Sequence, residues 1–271
     1  MGGSMLDLGK KNILGVMINA IDYDATLEYI FRAAREKRNI IVSALAVHGV
    51  MTGVLDSEHK FRLNHFDVLV PDGQPVRWVL NWLHSTRLTD RVRGPSLTRR
   101  LCNRAAEEGV PIFLYGSTPE ILSQMQRRLG IDCPELIIAG AEPSKFRRLT
   151  PDEKLELAEK IGASGAAITL VGLGCPRQET FAFEFQNMLP MPILTVGAAF
   201  PFLAGLIQEA PDWMGRVGLE WLFRLASEPK RLWKRYLYLN PAYLFLVALQ
   251  AIGVSRFPTE GKVPATESLF G

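Results

Sequence analysis

Seven short apolar runs, most of them separated by a helical period, constrain this chain more than any other feature. They are "NILGVMI", "NIIVSAL", "FDVLV", "PIFLY", "ELIIA", "AAITLVGL" and "PILTVGAAF", each with turn residues nearby. Between them, "DATLEYIFRAAREK" places Leu27, Ile30, Phe31 and Ala34 on one helical face, with Asp24 expected as its cap. "TPEILSQMQRRLG" reads as a helix capped by Thr118, with Pro119 in its first turn and an end at Gly130. Strands that alternate with helices predict an α/β fold, a largely parallel, helix-covered, Rossmann-like sheet. Ligands of such sheets bind beyond the carboxyl ends of the strands, so the loops there carry the candidates.

Four loops qualify. "PDGQP" follows "FDVLV", and Asp72 there is either part of a structural turn or a general base whose pKa is tuned upward. "GSTPE" follows "PIFLY" and offers small residues and a helix start, which suit either an anion or a tight turn. "VGLGCPRQET" follows "AAITLV": Gly172 and Gly174 allow unusual backbone angles, and Pro176 is placed to start a helix with Arg177, Gln178 and Glu179 in its first turn. That turn can meet a phosphate, with Gln178 reaching a base or sugar hydroxyl. Cys175 as a nucleophile, activated by the helix start and Arg177, is the minority alternative to a packing thiol. His48 follows the second run and can face the same cleft, although a lone histidine is more often structural.

Composition narrows the classes. With 271 residues, 48% of them hydrophobic and 22% charged, disorder is not expected. Three scattered cysteines exclude a disulfide framework, show no zinc spacing and suit a reducing, cytoplasmic setting. The opening "MGGS" reads as a vector-derived leader, and nothing near it has the apolar core of an export signal. The run "AYLFLVALQAIGV" falls short of the roughly 18–20 residues that span a bilayer.

The net charge of +3 is concentrated: residues 213–238 hold six basic side chains against two acidic ones. Within them Pro229 divides two helices, and the second gathers Lys230, Arg231, Lys234 and Arg235 opposite Leu232, Trp233, Tyr236 and Leu237. Such a helix fits an anionic membrane surface or a docked interface about equally, and nucleic acid is disfavoured because the basic residues sit in an apolar-rich segment. The expected division is a flexible N-terminus over 1–10, a catalytic α/β domain over 11–210, a basic helical appendage over 211–253 and a loose tail over 254–271.

Together "VPDGQPVRW", "RVRGPSL", "YGSTPEIL", "GLGCPRQE", "VGAAF" and "GLEWLFRLASEPKRLWKRY" resemble the WecG/TagA/CpsF family of bacterial glycosyltransferases. The likeness is greatest to the subgroup that builds exopolysaccharide repeat units, including xanthan-type glucosyltransferases. The resemblance implies a metal-independent, cofactor-free, inverting transfer of a sugar from a UDP-sugar to an undecaprenyl-diphosphate-linked saccharide. It implies a peripheral enzyme on the cytoplasmic face of the inner membrane, and leaves homo-oligomerisation open.

Asp72 matches the proposed base, with His48, Gln74, Arg93, Arg224, Arg231 and Arg235 on the acceptor side. Gly116, Ser117, Gly172, Gly174, Pro176, Arg177, Gln178, Glu179 and Gly197 fall on the donor side. Three positions depart from the family pattern: Ala46 where asparagine is common, Pro201 where aspartate is frequent, and Glu209 where arginine is usual. Those departures keep a non-catalytic membrane partner as the alternative. A dinucleotide oxidoreductase is disfavoured by the missing glycine fingerprint.

Overall fold

The computed structural model describes residues 5–271, apart from the side chains at positions 212, 216, 231, 234 and 235. An antiparallel hairpin, β1 (Asp7–Ile13) and β2 (Val16–Ile21), leads into α1 (Tyr23–Arg35), β3 (Ile41–Leu45), α2 (Val47–Leu55) and α3 (Ser57–Asn64). Next come β4 (Val68–Pro71), α4 (Gln74–His84), α5 (Gly94–Glu108), β5 (Ile112–Gly116) and α6 (Pro119–Asp132). The sheet is completed by β6 (Ile138–Glu142), α7 (Pro151–Ala163), β7 (Ile168–Gly172), α8 (Arg177–Phe185) and β8 (Ile193–Thr195), followed by the short α9 (Ala199–Leu203). Beyond it lie α10 (Asp212–Arg216), α11 (Glu220–Ser227), α12 (Pro229–Lys234), a π-helical turn (Arg235–Leu239) and α13 (Asn240–Ala251).

Six of the strands form one parallel sheet in the order β4-β3-β8-β7-β5-β6. Its near-continuous apolar strands are those of a sheet buried on both faces. On one face, Val50, Phe181, Phe185 and Tyr243 bring α2, α8 and α13 into one core. On the other, Ile30, Leu101, Met125 and Phe200 join α1, α5, α6 and α9 in a second. The rings of Tyr115, Phe181 and Phe185 stack in series at 4.7 and 4.0 Å, pinning α8 to β5. Full burial of each phenylalanine contributes about 1.5–3 kcal/mol.

The strand order creates a crevice. From β5 the chain leaves through α6 toward the outer strand β6, whereas from β7 it leaves through α8 toward β8. The two neighbouring strands therefore send their connections in opposite directions. This is the topological switch point at which ligands of such sheets bind.

Four sequence expectations change. The run "NILGVMI" is the end of one strand, a two-residue turn and the start of the next, because Leu14 and Gly15 both take positive φ and Ile13 pairs with Val16. Residues 7–10, expected to be flexible, pair in that hairpin, while residues 1–4 lie outside the described ones. Helix α1 is capped by Asp22, whose carboxylate accepts from the Ala25 N–H at 2.8 Å, and Asp24 sits in the first turn.

The tail is not loose. Its carbonyls at Phe257 and Thr259 accept from Asn12 and Asn64, and the backbone N–H groups of Ser268 and Leu269 donate to Glu184. Lys154 and Glu267 form an ion pair at 2.6 Å. Among the described residues no helix is long and apolar enough to cross a membrane.

Candidate active site

Strand β4 ends at Pro71, and Asp72 is fixed at its exit from both sides. The Asp72 N–H donates to the Leu45 carbonyl at 3.2 Å, and its Oδ1 accepts from the Gly94 N–H at 3.1 Å. One oxygen is thereby anchored to the start of α5. Burial pushes the Asp72 carboxyl above its ordinary range; Glu220 adds to the rise, while Arg91, Arg93 and the Gly94 N–H oppose it. A carboxylate tuned upward is what a general base working near neutral pH needs.

Asp72 lines a cavity of about 160 Å³ with His48, Gln74, Arg91, Glu220 and Arg224. His48 is the second residue of α2, and Gln74 opens α4. Arg93 lines an adjoining cavity that shares Gln74, Arg91 and Glu220 with the first. Arg91 and Arg93 both bind Glu220, the first residue of α11, the latter at 3.1 Å. This shared carboxylate clasps the C-terminal helices to the body of the domain. Arg224 pairs with Glu228 at 3.5 Å and lies 5.4 Å from the Phe202 ring, and its buried Nε has no hydrogen-bond partner.

Of the expected acceptor-side residues, His48, Gln74 and Arg224 share the cavity of Asp72, and Arg93 stands behind its wall. Arg231 and Arg235 lie outside the described side chains, so their positions within α12 and the π-helical turn are all that is fixed. Sequence reasoning passed over Arg91 and Glu220. Their only signal was an arginine and a glutamate at the edges of motifs 129 residues apart.

A second cavity of about 520 Å³ adjoins the first, sharing Val47, Pro75, Gly218, Trp221, Tyr236 and Asn240 with it. Its remaining walls are apolar, built from Trp78 and Trp82 of α4 and from Tyr243, Leu244 and Val247 of α13. Trp82 and Leu244 are 63% and 59% exposed, and Phe245 and Leu237 beside them are exposed as well. An apolar patch of this kind on a surface marks an interaction site.

Across the sheet, the switch point is floored by glycine. Gly116 and Gly172 are register partners on β5 and β7, and a Cβ on Gly116 would stand 2.9 Å from the Gly172 backbone. Gly116 takes φ +107 and Ser117 φ +62, and Thr118 caps α6 by accepting from the Ile121 N–H. Gly174 and Gly197 also take positive φ, and Arg177 is exposed at the start of α8, directly after Pro176. The backbones of Gly116 and Gly172 thus approach closely at the start of the loops leading to α6 and α8, where a Cβ on Gly172 would meet the Phe200 ring at 2.8 Å.

Gln178 and Glu179 behave differently from their neighbours. Their side chains are 3% and 0% exposed, which leaves no surface for base or sugar contacts. Gln178 accepts from the Gly174 N–H and donates to Glu179 Oε1 at 2.7 Å, and Ser43 Oγ donates to the same oxygen at 3.0 Å. They brace the loop from beneath. The direct contact expected of Gln178 is therefore replaced by support of the turn that carries Gly174.

Two departures have structural readings. Ala46 occupies the N-cap of α2 with no side-chain cap bond and lines the Asp72 cavity. Glu209 pairs with Arg93 at 3.3 Å and Arg99 at 2.8 Å, reversing the charge at a position where arginine is usual. Nothing in the structure explains Pro201 within α9.

A six-stranded parallel sheet with an upward-tuned carboxylate at one strand end and glycines at its switch point defines a Rossmann-like α/β protein. The profile of the glycosyl transferase WecG/TagA/CpsF family matches residues 11–256. The chain belongs to that glycosyltransferase family.

Proposed function

We propose that this protein transfers a sugar from a UDP-sugar to a hydroxyl of an undecaprenyl-diphosphate-linked saccharide during exopolysaccharide or cell-wall polymer synthesis. The observation that carries this reading is the junction of two cavities: one that holds the charged side chains of Asp72, Arg91 and Arg224, and one apolar, walled by Trp78, Trp82 and Leu244. An acceptor joining a saccharide, a diphosphate and a hydrocarbon chain matches that succession of surfaces. The exposed apolar rim and the basic composition of residues 213–238 favour a peripheral position on an anionic membrane face.

Asp72 Oδ2 takes the proton of the acceptor hydroxyl as its oxygen attacks the anomeric carbon. The bond from that carbon to the UDP oxygen breaks, and its electron pair leaves with the diphosphate. Attack from the face opposite the leaving group inverts the anomeric centre. The N-termini of α6 and α8, with exposed Arg177, supply positive potential for the departing diphosphate, so the step requires no metal. Arg224, which lines the Asp72 cavity, takes an oxygen of the acceptor diphosphate in this reading.

The test is UDP release by the full chain in vesicles carrying an undecaprenyl-diphosphate-linked saccharide, across a panel of UDP-sugars. Acceptor-dependent release with one donor is expected. Donor binding without release under any of these conditions would reject transfer and favour the non-catalytic partner.

A further inference from the structure

Behind the helix that carries His48 lies a second cluster that the transfer reaction does not use. His59 of α3, Cys175 of the β7–α8 loop and Glu179 of α8 each offer one ligand atom, and these atoms lie within 4.8 Å of one another. A Cβ on Gly49 would stand 3.7 Å from Cys175 Sγ, which places the cluster against the inner side of α2. We propose that His59, Cys175 and Glu179 form a structural binding site for a zinc-class divalent cation, tying α3 to the loop between β7 and α8.

Three arguments support the assignment. First, His59 is 1% exposed and Glu179 0%, yet His59 Nε2 and Glu179 Oε2 have no hydrogen-bond partner. Leaving either polar atom so would cost about 1–3 kcal/mol, and a shared cation satisfies both at once. Second, Ser43 and Gln178 hold Glu179 Oε1, so the carboxylate is oriented with Oε2 left over. Outer partners of this kind position a metal ligand.

Third, the charges close: a thiolate and a carboxylate neutralise a divalent ion, and binding releases the proton of the thiol.

The donor set chooses the ion. One sulfur, one nitrogen and one oxygen suit zinc, whereas magnesium and calcium take oxygen ligands. Bonds of about 2.0–2.3 Å require ligand atoms roughly 3.3–3.8 Å apart in a tetrahedron, so atoms within 4.8 Å of one another close by about 1.5 Å at most around the ion. Cys175 is half-buried, which provides the entry path and room for water as the fourth ligand. The site stands whether or not the chain transfers sugar, because the ion takes no part in that step.

The test is titration of the chelator-treated full chain with cobalt, followed by displacement with zinc. One cobalt per chain is expected, with a thiolate-to-cobalt charge-transfer band that zinc abolishes. Cys175→Ser should remove the band, Cys133→Ser should retain it, and His59→Gln should weaken binding about tenfold or more. X-ray absorption of the zinc-loaded wild-type chain, which needs no variant to fold, should give one sulfur among nitrogen and oxygen neighbours. A band that survives Cys175→Ser, or a zinc shell without sulfur, would overturn the proposal. Failure to bind either ion at micromolar concentration would overturn it equally.

Discussion

Asp72 and Glu179 are both carboxylates just beyond the carboxyl end of a sheet strand, and burial raises the pKa of each. Their surroundings separate them. Asp72 has one oxygen tied to Gly94 and faces a cavity lined by cations. Glu179 is sealed, receives Ser43 and Gln178 on one oxygen, and meets no substrate-sized space among the described residues. A shifted pKa alone would rank both as candidate bases, and access to a cavity is what makes Asp72 the proposed base.

The largest effect that sharpens this contrast is expected at Asp72. Asp72→Asn should lower turnover about 10²–10⁴-fold while leaving UDP-sugar binding intact, measured by UDP release and by donor protection against thermal unfolding. Arg224→Ala comes next, with a loss of roughly 10²-fold in kcat/KM for the lipid-linked acceptor and little change in donor affinity. An equal loss toward donor and acceptor would move Arg224 out of the acceptor half.

Glu179→Ala should show the opposite profile. It removes a buried acceptor on which two donors converge, costing about 2–4 kcal/mol of stability, read as a melting temperature several degrees lower. Turnover at low temperature should fall far less than for Asp72→Asn. If Glu179→Ala were as inactive as Asp72→Asn and fully stable, the assignments of base and brace would have to be exchanged. The smallest effect is expected at the apolar rim, where the double substitution Trp78→Ser and Trp82→Ser should weaken flotation with anionic vesicles several-fold at nearly unchanged stability.

The periodicity of the chain specified the sheet well, because strands buried on both faces must be apolar and the helices between them amphipathic. It concealed the hairpin, since the turn is built on Leu14 in a left-handed conformation rather than on an Asn-Gly pair. The tail was illegible for another reason. Its anchors are largely backbone groups meeting residues as far away as Asn12, 245 positions earlier, and such bonds leave no compositional trace.

The site divides the same way. Asp72 is legible because a strand end dictates where it stands, and the glycines of the switch point because close backbone approach excludes every other residue. Arg91 and Glu220 meet only through the docking of α11. The inward turn of Gln178 and Glu179 depends on Ser43, 136 residues from Glu179 in sequence.

The most direct test of the account is kcat/KM against pH for the wild-type chain and Asp72→Asn. The base must be ionised, so the rate should fall as pH drops through the Asp72 pKa, with an acid limb above the ordinary carboxylate value of about 4. The residual activity of Asp72→Asn should lack that limb. An identical acid limb in both proteins, at similar turnover, would contradict Asp72 as the group that takes the acceptor's proton.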